Sequence, residues 1–371
     1  MSTTTTGPKR RSSRDPDVLR QRLQEWLSGQ VDAAEGPRVG NLSGTDANGM
    51  SSDTVLFDAQ WTARDGTSYD EHLVARLAPD LADVPVFPWY DMTGQFNTIR
   101  LVHELTNVPV PEPRWCETDL DVIGATFFVM DRVDGVVPPD VMPYPFGDNW
   151  LYDAHRSDQY RLQESTVAAI AALHAIPDAP KQFPFLERPE AGDTHLQRHV
   201  AHTKKWYEMV AADGGRSPLV ERAFAWLDEH WPTDDDDAVL SWGDARIGNV
   251  IYQDFTPAAL LDWEMAGLGP RELDVSWLIC GHLVFQDLTV ALGLEGMPHF
   301  LRANDVTAQY RDLTGHEIRD LDFYLTYAAT QWAIVFLRTG FRQAHFGERE
   351  LPADIEELIY SRALLDRMLT Q

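Results

Sequence analysis

The chain has 371 residues, more than one hydrophobic core ordinarily organises, so two lobes are expected. Hydrophobic residues make up 44% and charged residues 24%, the balance of a globular protein rather than a disordered one. Against 58 Asp and Glu stand 31 Lys and Arg, a formal charge of -27 whose field repels nucleic acid and anionic membrane and draws in small cations.

Cys116 and Cys280 lie far apart, with no CxxC or Cys/His cluster, which argues against a disulfide scaffold or zinc site and for a reducing, cytoplasmic compartment. The opening MSTTTTGPKRRSSRDPD lacks an apolar stretch after its basic residues, so it reads as a flexible tail over residues 1–16 rather than a secretory signal. VSWLICGHLVF (275–285) and YAATQWAIVFL (327–337) fall short of the roughly 20 residues of a membrane span and read as buried helices.

In chain order, VLRQRLQEWL (18–27) has apolar residues at helical spacing behind an Asp15-Pro16 start. TVLFDAQWTA and HLVARLAP, around a DGTS turn, predict strand, turn and strand. Residues 95–106 predict a helix that VPVPEPRW stops, because each Pro biases its predecessor to extended geometry. TFFVMDRV predicts a buried strand, and DGVVPPDVMP, interrupted by Gly and Pro, a linker between lobes. Helical periodicity then dominates at 159–175, 195–211, 217–230, 271–285, 318–338 and 353–369, around a β-rich island at 239–263. DDDD at 234–237 reads as a solvated loop.

The island holds VLSWGDARIGN (239–249) and LLDWE (260–264), which set Asp244, Asn249 and Asp262 on two strand-and-loop units. Such residues often only close turns through side-chain-to-backbone bonds. Phosphoryl transfer offers a chemical reason for the spacing: one oxygen accepts a hydroxyl proton, and others hold magnesium, a hard ion that prefers oxygen ligands and retains waters.

WGDARIGN and LLDWE resemble the catalytic segments of the aminoglycoside phosphotransferase-like kinases, related to choline kinases. VPVPEPRW, GATFFVMDRVDG and GPRELDVSWL follow in the family's order, so the resemblance covers roughly residues 35–340. RLAPDLADVPVFPWYDM, VPPDVMPYPFGDNW and LGPRELDV are similar to an actinobacterial subgroup. The resemblance implies an α+β, two-lobed protein kinase-like fold: a small β-rich N-lobe over residues 17–133 that binds nucleotide, and a larger, mainly helical C-lobe over residues 134–371 that carries catalysis and the acceptor.

It implies an ATP- and magnesium-dependent phosphotransferase acting on a hydroxyl of a small molecule, an aminoglycoside being the family-level expectation. A macrolide or hydroxyacyl compound, or a catalytically silent nucleotide-binding module, are the alternatives; neither nucleic acid nor membrane is an expected partner. Asp244 becomes the catalytic base, with Arg246 facing the transferred phosphate, and Asn249 and Asp262 the magnesium ligands. Asn48, Gly49, Ser51 and Ser52 fall in the loop that covers the phosphates, small polar residues that can turn N–H groups toward anions. Met130, Asp131 and Val133 fall in the hinge strand that reads the adenine edge, and Asp274 braces the catalytic loop.

Three positions depart from the pattern. Trp242 replaces the usual His before Gly-Asp but keeps one donor. Arg76 replaces the strand Lys, and Gln95 or Asn97 stands where its acidic partner would be, which favours direct phosphate contact by Arg76. Tyr144, Phe146, Trp150, Tyr152 and FLRTGFRQAHF (336–346) are candidates for the acceptor wall, although core packing is the better explanation for each.

Overall fold

The structure, a computed structural model, describes residues 14–44, 53–233 and 238–370. The chain divides into two compact units. The first comprises residues 1–93, 113–132 and 339–350, the second residues 94–112, 133–338 and 351–371.

The elements run α1 (Pro16–Gln30), β1 (Arg38–Val39), β2 (Ser43–Gly44), β3 (Asp53–Thr62), β4 (Ser68–Leu77), α2 (Met92–Leu105), β5 (Pro113–Glu117), α3 (Leu120–Ile123) and β6 (Phe127–Asp131). Helices α4 (Arg156–His174), α5 (Ala179–Gln182), α6 (His195–Gly214) and α7 (Pro218–Glu229) follow. Next come the strands β7 (Val239–Ser241), β8 (Val250–Gln253), β9 (Thr256–Leu260) and β10 (Gly267–Gly269). The chain closes with α8 (Glu272–Ala291), α9 (Ala303–Thr314), α10 (Leu321–His345) and α11 (Arg362–Met368).

In the first unit, Asp15 starts α1: its carboxylate accepts from the Asp17 and Val18 amides at 2.9 and 3.4 Å, and Pro16 occupies the first turn. Leu19, Leu23, Trp26 and Leu27, at helical spacing, are the buried face. They join Val55, Phe57 and Ala59 of β3, Leu73, Ala75 and Leu77 of β4, and Phe127 and Val129 of β6 in one core. The alternation along β3 and β4 fixes their antiparallel register, Val55 opposite Ala75 and Phe57 opposite Leu73. The sheet is six-stranded among the described residues, in the order β1-β3-β4-β6-β5 with β2 beside β3.

The second unit is mainly helical, with two small antiparallel sheets, β10-β7 and β8-β9. Helix α8 is buried on nearly every face, as befits a helix apolar all round. No helix among the described residues is long and apolar enough to cross a membrane. Among the described residues the unit contains two helices the sequence reading lacked: the single-turn α5, and α9, which buries only Val306 and Tyr310, too sparse a stripe to stand out. The expected helix over 353–369 is instead a 3-10 turn (Ile355–Leu358) followed by α11. The break serves Glu356, whose buried carboxylate accepts from Ser217 Oγ at 2.8 Å and the Leu219 amide at 2.6 Å, holding the start of α7.

His282 of α8 is buried between Tyr144 and the 297 carbonyl, with Nδ1 2.9 Å from the Tyr144 hydroxyl and Nε2 3.1 Å from the Met297 oxygen. Burial pushes its pKa down to about 4. A depressed histidine contributes stability that is full above the unfolded value near 6.5 and declines as pH falls toward the folded one. Urea unfolding from pH 7 to 4 should therefore show the wild type losing about 1.4 kcal/mol more per pH unit than His282→Gln below pH 6.5.

Candidate active site

Strand β7 ends at Ser241 and is followed by Trp242, Gly243 and Asp244. The turn that carries them is held by one carboxylate. Asp274, fully buried in the first turn of α8, accepts from Ser241 Oγ at 2.7 Å, the Trp242 amide at 2.7 Å and the Gly243 amide at 2.9 Å, and lies 3.0 Å from His174 Nε2. Gly243 adopts φ +89°, and a Cβ there would sit 2.3 Å from the Met265 carbonyl oxygen, so only glycine fits.

Asp244 is thereby delivered to the mouth of the turn. Its Oδ1 accepts from Trp277 Nε1 at 2.6 Å and lies 3.1 Å from Arg246 Nε. Burial raises the pKa of Asp244, the nearby Asp262 adds to the rise, and Arg246 and the Trp277 and Asn249 hydrogen bonds oppose it. Asn249 donates from Nδ2 to the Asp244 carbonyl at 3.1 Å, which turns its Oδ1 the other way.

Asp262 follows β9 in the left-handed region, φ 60° and ψ 68°. Two contacts fix its approach: the Leu261 amide donates to the Asn249 carbonyl at 2.8 Å, and Trp242 Nε1 donates to the Leu261 carbonyl at 2.8 Å. The tryptophan in the family's histidine position therefore ties the loop of Asp244 to the residue just before Asp262. Asp262 acts electrostatically on both Asp244 and Arg246, so the side chains share one field.

Arg246 is clamped. Besides Asp244 it pairs through Nη1 with Asp140, and its guanidinium lies 5.9 Å from the Trp332 ring centre. Trp332 stacks on Trp277 at 5.7 Å. Burial works against the charge of Arg246, but Asp140 and Asp244 outweigh it and raise the pKa above the ordinary guanidinium value. Asp140 comes from the linker, which is strapped to β8: Val136 exchanges backbone hydrogen bonds of 3.0 and 2.8 Å with Tyr252, and Gln253 Nε2 donates to the Asp134 carbonyl at 2.7 Å.

The sequence reading did not find Asp140 or Trp277. Trp277 carried a signal, since it lies three residues after Asp274 and so on the same face of α8. Asp140 carried none, because its partner is distant in sequence and its segment irregular.

The remaining expected residues are placed as follows. Arg76 on β4 donates from Nη1 to Thr54 Oγ1 at 3.1 Å. Met130 is buried on β6 opposite Val74, and Asp131 accepts from Arg114 at 2.6 and 3.0 Å. Val133 is the first residue of the second unit after β6. Asn48, Gly49, Ser51 and Ser52 lie outside the described residues. Tyr144 and Phe146 are buried, whereas Tyr152 is exposed and Trp150 Nε1 donates to the Val137 carbonyl at 3.2 Å.

A family described as the phosphotransferase enzyme family matches residues 47–313, more than two thirds of the chain. The chain belongs to this family. Its fold is similar to those of solved family-type structures: a Ralstonia eutropha JMP134 protein assigned to the aminoglycoside phosphotransferases (TM-score 0.64, 19% identity, covering 94% of this chain and 96% of that one); a thermostable mutant of aminoglycoside phosphotransferase APH(4)-Ia in complex with ADP and hygromycin B (0.53, 14%, 94% and 98%); and the macrolide 2'-phosphotransferase MphH from Brachybacterium faecium (0.51, 18%, 92% and 97%). The chain thus has a phosphotransferase kinase-like α+β fold.

Among curated proteins, it is 31% identical to acyl-CoA dehydrogenase family member 11 of Gallus gallus over 46% of this chain and 20% of that protein, and 28% identical to the Homo sapiens counterpart over 43% and 19%. The chain spans only about a fifth of the length of these curated relatives.

Asp274→Ala strips four donors of a buried acceptor, and an unmade buried bond costs about 1–3 kcal/mol, more where the lost group was charged. Chemical denaturation should show a loss of about 3–5 kcal/mol, with Asp274→Asn falling between variant and wild type.

Proposed function

We propose that the protein is an ATP- and magnesium-dependent kinase that transfers the γ-phosphate to a hydroxyl of a small molecule. The observation that carries this is the convergence of two segments: the loop after β7, with a buried, donor-oriented Asp244 and an Asn249 tied to its carbonyl, and the end of β9, whose Leu261 is hydrogen-bonded to Asn249 and Trp242 and whose Asp262 acts electrostatically on Asp244 and Arg246.

Asp244 accepts the acceptor's hydroxyl proton. Its carboxylate is fixed by Trp277 and Arg246, and burial raises its proton affinity toward that of a working base. Asn249 and Asp262 would hold magnesium: an amide and a carboxylate oxygen are the hard donors it prefers, few enough to leave positions for phosphate and water. Bound there, the ion supplies charge neutralisation across the phosphates. Arg246, permanently charged, lies beside Asp244, where its guanidinium stabilises charge on the transferred group once the nucleotide competes with Asp140. Arg76 contacts phosphate, and the backbone at Met130, Asp131 and Val133 reads adenine.

For the acceptor, two lines of support differ. APH(4)-Ia is solved with ADP and hygromycin B, a hydroxylated antibiotic, but at 14% identity. The curated relatives are named acyl-CoA dehydrogenases, at up to 31% identity over the matched segment. Those names point to acyl-CoA chemistry, which supports a hydroxyacyl compound as acceptor.

With labelled ATP, magnesium and a panel of hydroxylated compounds including hydroxyacyl thioesters, transfer should be detected by mass. Asp244→Asn should lower the transfer rate roughly 10²- to 10⁴-fold and Asp262→Asn nearly abolish it. An unchanged rate in both variants would refute the assignment, and nucleotide binding without transfer to any acceptor would favour the silent module. Trp277→Phe keeps the packing but removes one donor to a carboxylate, so kcat should fall about 10-fold while the KM for ATP stays put.

A further inference from the structure

In a chain with nearly two acidic residues for each basic one, residues 187–205, the loop before α6 and its first three turns, carry four Lys/Arg against three Asp/Glu. Arg188, Arg198 and Lys205, with His195, His199 and His202, gather there beside Glu187 and Glu190. Both carboxylates are already engaged. Glu187 lies 2.9 Å from His195 Nε2 and 3.4 Å from Arg198 Nη2; Glu190 lies 3.1 Å from His202 Nδ1 and 3.2 Å from Lys205 Nζ.

Arg188 is left over. Its Nε is buried without a hydrogen-bond partner, and among the described residues no carboxylate lies within ion-pair distance of its guanidinium. Burial lowers its pKa, with Tyr327 and Glu190 acting weakly the other way, yet a guanidinium stays charged at any working pH. Arg188 as a whole is half-buried, so its guanidinium is partly stripped of water with no carboxylate partner to offset the cost, while its terminal nitrogens remain within reach of an anion from solution.

The position of Arg188 says which anion. Its Nη2 lies against β10 at Gly267, where a Cβ would sit 3.1 Å away, so the glycine leaves room for the guanidinium. Gly267 pairs with Ser241, three residues before Asp244. Strand spacing and the reach of an extended chain put the guanidinium within roughly 20 Å of the Asp244 carboxylate, the span of one extended small molecule.

We propose that Arg188 binds an anionic group, a carboxylate or phosphate, of the acceptor whose hydroxyl is phosphorylated. The planar fork suits bidentate recognition of either group. The inference rests on the kinase reading and narrows its acceptor to an anionic class, since an unpaired cation repels a polycationic antibiotic.

Thermal unfolding at constant ionic strength tests it, with inorganic phosphate and 4-hydroxybutyrate as probe anions and 1,4-butanediol as the neutral twin, each with and without saturating AMP-PNP and magnesium. The wild-type Tm should rise with at least one anion and not with the diol. Arg188→Gln should weaken that response at least tenfold and Arg188→Lys less so. A response to 4-hydroxybutyrate alone assigns a carboxylate, to phosphate alone a phosphate group, and either supports the proposal.

No rise in the wild type, or an equal rise in Arg188→Gln, overturns it. Without ligand, Arg188→Gln should be at least as stable as the wild type, having lost a half-buried charge with no carboxylate partner; a lower Tm with an unchanged anion response makes Arg188 structural and also overturns the proposal. Failure of AMP-PNP to raise the Tm defeats the nucleotide reading instead, and the titration without nucleotide still decides the role of Arg188.

Discussion

The site depends on one buried carboxylate. Asp274 sits at full burial, where an unsatisfied charge is intolerable, and it is satisfied by a hydroxyl, two backbone amides and an imidazole. Two of those donors belong to the backbone just before Asp244, so the charge that needs partners is also what fixes the loop. The histidine is itself set by the Tyr310 hydroxyl, 2.7 Å from Nδ1, which links α4, α8 and α9 behind the strand. Because Trp277 rises from the same helix one turn later, the loop and the side chain that orients its aspartate are mounted on one rigid element.

The charges in front of this frame are unevenly matched. Asp140 and Asp244 both engage Arg246, and Asp262 adds a third negative charge to the same field. The guanidinium lies over the Trp332 ring, on which Trp277 stacks, so its charge meets one ring face and the Asp140 and Asp244 carboxylates.

Much of this was legible in the sequence. The Asp15-Pro16 start, the alternating β3 and β4, and the order of Asp244, Asn249 and Asp262 are local patterns, and the matching elements stand where those patterns put them. Trp242 was also readable as a donor in place of histidine, although its acceptor, the Leu261 carbonyl, was not. What escaped reading was non-local or weakly patterned. Asp140 reaches Arg246 across more than a hundred residues from a segment without periodicity, α9 buries two side chains, and the break at 359–361 answers to a carboxylate that caps a distant helix. Arg188 escaped for a related reason, since what marks it is a partner it lacks.

The backbone at Asp262 limits how this lineage can change. A φ of 60° is tolerated by Gly, Asn and Asp and penalises nearly every other side chain. Natural drift at this position is thus channelled toward Asn, which keeps the conformation and discards the charge. On the role proposed for Asp262, an Asn at this position in a relative would mark lost chemistry with the backbone conformation kept.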